Sequence, residues 1–95
     1  MLSQQQINII IETMKPFNPT KIGIFGSAAR GEDTAKSDID ILYEFASKCS
    51  LFDLGGLKLN LEEALGKGVD LVSFNYIHPL LKDRILSEAK IVYGR

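Results

Sequence analysis

The chain has 95 residues, 45% of them hydrophobic and 24% charged, and a formal net charge of −1. That suffices for one small domain over residues 1–95, whose core hides roughly 60% of the unfolded surface, and leaves no room for a separate substrate domain. The near-neutral charge argues against a broad basic nucleic-acid face, and no apolar run approaches the ~20 residues of a membrane span or forms a signal peptide, so a cytoplasmic protein with no membrane or direct nucleic-acid partner is expected.

The first element expected is an amphipathic helix over residues 3–15. Ser3 can cap it, Gln6 can complete a capping box, and Ile7, Ile10, Ile11 and Met14 recur at helical spacing. Pro16 and Pro19 break it and lead into a β-favouring run at residues 21–25. Gly26 and Ser27 then hand that strand to a helix nucleus at Ala28, Ala29 and Arg30. Such a turn can seat a phosphate: Gly26 has no Cβ to keep an anion away, and Ser27 offers a hydroxyl and an amide at the positive end of the helix. A Gly-Ser pair alone is common and carries little. Residues 31–37 have the polar composition of a loop lying over a nucleotide, with Glu32 and Asp33 as solvated charges. Arg30 and Lys36 are the cations nearest the phosphates, although Arg30 can equally pair with an acidic neighbour and Lys36 can simply be solvated.

Asp38 and Asp40 open a strand-like run that continues to Phe45. Residues i and i+2 of a strand share a face, so the two carboxylates stand side by side while Ile39 and Ile41 point into a core. Carboxylates ~6 Å apart repel by on the order of 3 kcal/mol at an effective dielectric near 20, a cost that a cation between them removes. Hard oxygen ligands suit Mg²⁺, with Mn²⁺ the alternative.

Cys49, the single cysteine, has no partner for a disulfide and no neighbours for a zinc site, and reads as a free thiol. Asp53 can cap a helix reaching Leu65, with Leu54, Leu57, Leu61, Ala64 and Leu65 as its buried stripe and Glu62 and Glu63 on a wet face. Gly66, Lys67 and Gly68 end it and deliver a strand over residues 69–74 that carries Asp70. Beside the Asp40 strand, Asp70 would bring three carboxylates together opposite the Gly-Ser turn, as two-metal phosphoryl transfer requires with ions about 3.5–4 Å apart. His78, the single histidine, reads as a capping or loop residue before Pro79, which starts a helix bearing Leu80, Leu81, Ile85, Leu86 and Ala89 on its apolar side. The tail at residues 91–95 either adds an edge strand or docks on a partner.

Gly26-Ser27, ten intervening residues and Asp38-x-Asp40 resemble the signature of the DNA polymerase beta-like nucleotidyltransferase superfamily. The fuller string, with Arg30, Gly31 and Ser37, is similar to its minimal nucleotidyltransferase (MNT) branch. The likeness continues through residues 63–66 and 69–72 to the region of Pro79 and Ile85, most of the chain. It implies an α/β (α+β) fold of the polymerase beta type, a small mixed β-sheet flanked by helices. It also implies transfer of AMP from ATP to a hydroxyl, with Asp38, Asp40 and Asp70 as catalytic residues and ligands of two Mg²⁺ ions. Gly26, Ser27, Arg30 and Ser37 are then nucleotide-binding. Ser37 can cap a turn or hydrogen-bond the carboxylates, and its place in the family motif favours the second. With no acceptor domain in the chain, the implied partner is a HEPN-domain toxin, neutralised by AMP added to a tyrosine, which makes the protein an antitoxin. The alternatives are a non-catalytic docking antitoxin or adaptor, and a small-molecule nucleotidyltransferase subunit completed by a helical partner.

Overall fold

The computed structural model describes residues 2–32, 34 and 37–94. Helix α1 (Gln4–Met14) begins at the expected box: the Ser3 hydroxyl accepts the Gln6 N–H at 3.1 Å and the Gln6 side-chain oxygen accepts the Ser3 N–H at 2.9 Å. Pro16 does not break the chain outright. It sits at the start of a single 3-10 turn, Lys15–Phe17, where its missing N–H is not needed, and Asn18 closes that turn in the left-handed region. Strand β1 (Pro19–Phe25) therefore starts at Pro19 rather than Lys21, and the short helix α2 (Gly26–Arg30) follows directly.

Strand β2 (Ile39–Phe45), helix α3 (Leu51–Leu65) and strand β3 (Val69–Ser73) come next, then a 3-10 turn at Phe74–Tyr76, helix α4 (Pro79–Glu88) and strand β4 (Lys90–Gly94). The sheet order is β3-β2-β1-β4. β1 is antiparallel to both β2 and β4, whereas β2 and β3 run parallel, joined by a crossover through α3. The sheet is mixed, as expected, and the tail forms an edge strand.

Ile10 and Met14 of α1 and Leu57 and Leu61 of α3 pack onto one face of the sheet, against Ile22, Ile24, Ile39, Ile41 and Val69. By the two-residue alternation of strands, the opposite face carries Asp40, Leu42, Asp70 and Val72. One face thus carries the main core, and the other carries the acidic residues beside the buried Leu42. Among the described residues, no helix is long and apolar enough to cross a membrane.

Two expectations need correction. The cap of α3 is Ser50, not Asp53: the Ser50 hydroxyl accepts the Asp53 N–H at 3.1 Å, and the Asp53 carboxylate reaches back to the Ser50 N–H at 3.3 Å. Asp53 is the far corner of a capping box, so the helix starts at Leu51. Within its expected stripe only Leu57 and Leu61 are buried; Leu54 and Leu65 are half-buried, and Ala64 is exposed. Helix α4 starts as expected. Pro79 takes its first turn and the Nδ1 of His78 accepts the Leu80 N–H at 3.1 Å, as a cap should, but the helix buries no residue. It meets α2 and β1, and Ile85 and Ala89 are half-buried, whereas Leu80, Leu81 and Leu86 remain exposed.

Candidate functional site

Parallel pairing of β2 with β3 sets Asp40 directly beside Asp70. Both precede apolar partners in their strands, so the ladder that joins Ile39 to Val69 and Ile41 to Leu71 fixes the two carboxylates on the open face. Asp40 titrates above the ordinary carboxylate range. Partial burial is the largest cause, followed by the charge of Asp70, a hydrogen bond with the Asp70 side chain and the charge of Asp38; Arg30 opposes the rise.

Asp38 lies one residue before β2 and is exposed. Its carboxylate rests against the Cα of Gly68, where a Cβ would collide with it. The same relation holds on the other side of the site. Gly26 adopts a positive φ of 71°, and a Cβ there would collide with the Asp40 carboxylate. The glycine expected to admit a phosphate thus first makes room for an aspartate, and the phosphate turn is in contact with the acidic pair.

The remaining expected site residues are placed as follows. Ser27 lies in α2, half-buried, and its carbonyl accepts the Glu32 N–H at 2.9 Å, which closes the end of that helix. Because α2 has five residues, what it offers an anion is its free first-turn N–H groups rather than a full helix dipole. Arg30 takes the acidic pairing: its Nη1 lies 3.0 Å from Glu88 of α4 and its Nε 3.3 Å from Glu32. Glu32 is accordingly an ion-paired residue and not merely a solvated charge. Ser37 also departs from expectation. Its hydroxyl accepts the Thr34 N–H at 2.9 Å and lies 3.1 Å from the Thr34 hydroxyl, so it closes a turn in the manner of the alternative reading. Lys36 and Asp33 lie outside the described residues.

Sequence reasoning missed two residues next to this centre. Glu62, expected on a wet helix face, is half-buried and accepts the Val69 N–H at 3.0 Å, one residue ahead of Asp70. Gly68 was taken only as part of a helix end, yet its carbonyl accepts the Ile39 N–H at 2.9 Å, between Asp38 and Asp40. The available signal was a glycine placed two residues before an aspartate.

Among the described residues, no three His, Cys, Asp or Glu side chains are gathered closely enough to hold an ion as they stand. Asp40 and Asp70 form the pair, and Asp38 turns aside to Gly68. The donor set nevertheless fits a hard divalent cation. It is all oxygen, and the mutual repulsion of Asp40 and its acidic neighbours is a cost that a cation between them removes.

Residues 5–95 match the family described as polymerase beta, nucleotidyltransferase. A Methanocaldococcus jannaschii protein provisionally named a protein adenylyltransferase is 55% identical over 80 residues, 84% of this chain and 86% of its own. Protein adenylyltransferase MntA of Thermococcus cleftensis is 36% identical over 98 residues, covering 98% of this chain and 97% of its own. Among solved structures, a toxin-antitoxin crystallised with AMP-PNP superposes with a TM-score of 0.84 at 27% identity, over 94% of this chain and 73% of that one. A tri-AMPylated Shewanella oneidensis HEPN toxin in complex with an MNT antitoxin gives 0.79 at 25% identity, over 99% and 74%.

Proposed function

The chain belongs to the polymerase beta nucleotidyltransferase family, and from that premise we propose that it moves AMP from ATP onto a tyrosine hydroxyl of a HEPN-domain toxin and so acts as an antitoxin. The observation that carries this reading is the Asp40–Asp70 pair abutting the Gly26 turn. The acceptor assignment is supported by the AMPylated HEPN toxin bound to a similar chain and by the relatives named protein adenylyltransferases.

Asp38, Asp40 and Asp70 are the residues that would hold two Mg²⁺ ions, which supply charge neutralisation of the triphosphate and a lowered acceptor pKa. The chain's own contribution is placement. Free N–H groups at the start of α2 and the Ser27 hydroxyl hold the β and γ phosphates, leaving the α-phosphorus over the acidic face. Asp70, on the outer strand, takes the acceptor proton. The acceptor oxygen bonds to the α-phosphorus, the bond to the β-phosphate oxygen breaks, and pyrophosphate leaves. Arg30, tied to Glu32 and Glu88, orients the loop over the nucleotide and keeps positive charge near Asp40. Ser37 holds that loop's far end through Thr34.

The test is label transfer from [α-³²P]ATP to a purified HEPN toxin with Mg²⁺. The Asp38→Ala and Asp40→Ala variants are each expected to lose at least ~100-fold in rate, the scale of losing a principal source of transition-state charge stabilisation. Unchanged transfer would refute the assignment. The docking alternative draws on the exposed apolar side chains Leu51, Phe52, Tyr76 and Leu80, which suit a partner surface. Neutralisation that survives replacement of all three aspartates would favour it.

A further inference from the structure

The corner between α3 and β3 holds both ends of the acidic site at once. Glu62, in the last turn of α3, reaches across to accept the Val69 N–H at 3.0 Å, which fixes the strand one residue before Asp70. Gly68 presents its carbonyl to the Ile39 N–H at 2.9 Å, which fixes the entry of β2 between Asp38 and Asp40. The same glycine leaves bare the space in which the Asp38 carboxylate lies. Gly68 is not in a left-handed conformation, so no backbone need explains it; the three atoms that a Cβ would approach most closely all belong to Asp38.

We propose that Glu62 and Gly68 are positioning residues for the acidic centre, Glu62 by setting the register of Asp70 and Gly68 by admitting the carboxylate of Asp38. The inference deepens the metal-site reading above and rests on it. An alanine at Gly68 leaves the fold intact, because the colliding atoms are the far end of an exposed side chain that swings away. The swing displaces Asp38 from its place. At Glu62, glutamine keeps an acceptor oxygen for the Val69 N–H, whereas alanine leaves that N–H without its partner. Groups that orient ligands in this way alter metal affinity about 10- to 100-fold when removed.

The experiment titrates Mn²⁺ alone into the full chain, following free Mn²⁺ by electron paramagnetic resonance, with thermal melts in EDTA alongside. Gly68→Ala is expected to melt as the parent does and to bind Mn²⁺ at least ~10-fold more weakly. Glu62→Ala is expected to weaken Mn²⁺ binding similarly, and Glu62→Gln to restore it. Asp38→Asn separates the two levels of the argument. If Asp38→Asn weakens Mn²⁺ binding while Gly68→Ala and Glu62→Ala bind as tightly as the parent, the positioning inference is overturned. If Asp38→Asn itself changes nothing, or the parent binds no Mn²⁺, the metal-site reading falls and takes the inference with it.

Discussion

Asp40 is held in place against its own electrostatics, with a second acid hydrogen-bonded beside it and a third nearby. Because its folded pKa is raised, the folded chain keeps this proton more tightly than the unfolded chain does. The stability so contributed is complete below the unfolded pKa and is lost as pH rises through the folded one. Asp40→Asn removes that dependence. In EDTA its stability advantage over the parent should therefore grow as pH climbs out of the carboxylate range and then level off, reaching about 1 kcal/mol at most because solvent screens the site. Denaturant midpoints measured across pH check this; a constant difference would count against the repulsion. Asp40 and Asp70 were legible because the β-rich runs around them place both on strands, whereas the expected side-by-side pairing of Asp38 with Asp40 is not formed, since β2 starts at Ile39 and Asp38 rests against Gly68. Glu62 was not legible, since a glutamate in the last turn of a helix looks solvated until the chain turns back over it. Ser37 was misjudged for a related reason: its nearest competitor for a hydrogen bond, Thr34, is local, and local partners win when no ligand is bound.

At the level of elements, α3 spans the parallel crossover with two glycines, Gly55 and Gly56, in its second turn. Both are exposed, and a Cβ at either would meet nothing within 4 Å. Gly55→Ala and Gly56→Ala should each stabilise the fold by about 0.5–1 kcal/mol, through a smaller entropy loss on folding and better helix propensity. Urea denaturation measures the gain directly. A loss in either variant would mean that the helix needs its glycines for a contact made elsewhere. The helix itself was readable from its leucines, but its start was not, since Ser50 and Asp53 are both competent caps and the choice depends on which N–H each meets. For α4 the sequence told of an apolar side, and that side stays largely exposed. Spacing tells which side of a helix is apolar, not whether another layer exists to cover it.

For the molecule as a whole, the acidic face stays open, while Leu51, Phe52 and Tyr76 are at least 85% exposed elsewhere on the surface. Ligand binding should register as global stability. Mg²⁺ with AMP-PNP at a hundredfold excess over Kd should add about 2.7 kcal/mol, which raises Tm by several degrees and is reversed by EDTA; a flat melt would exclude occupancy of this face. The mixed sheet was implied by the family resemblance, whereas the strand order was not legible, because composition does not say which neighbour a strand will choose. That order places β3 at a border, with β2 on one side and, among the described residues, no strand on the other. Asp40 and Asp70 therefore differ in durability. Borders of a sheet fray at a smaller free-energy cost than its centre, so amide protons of β3 should exchange with deuterium sooner than those of β1. Warming would then disarm the enzyme by loosening its outermost acid while the core still gives a native circular dichroism spectrum, and a partner that laid its own backbone along that border would lengthen the working life of the active site.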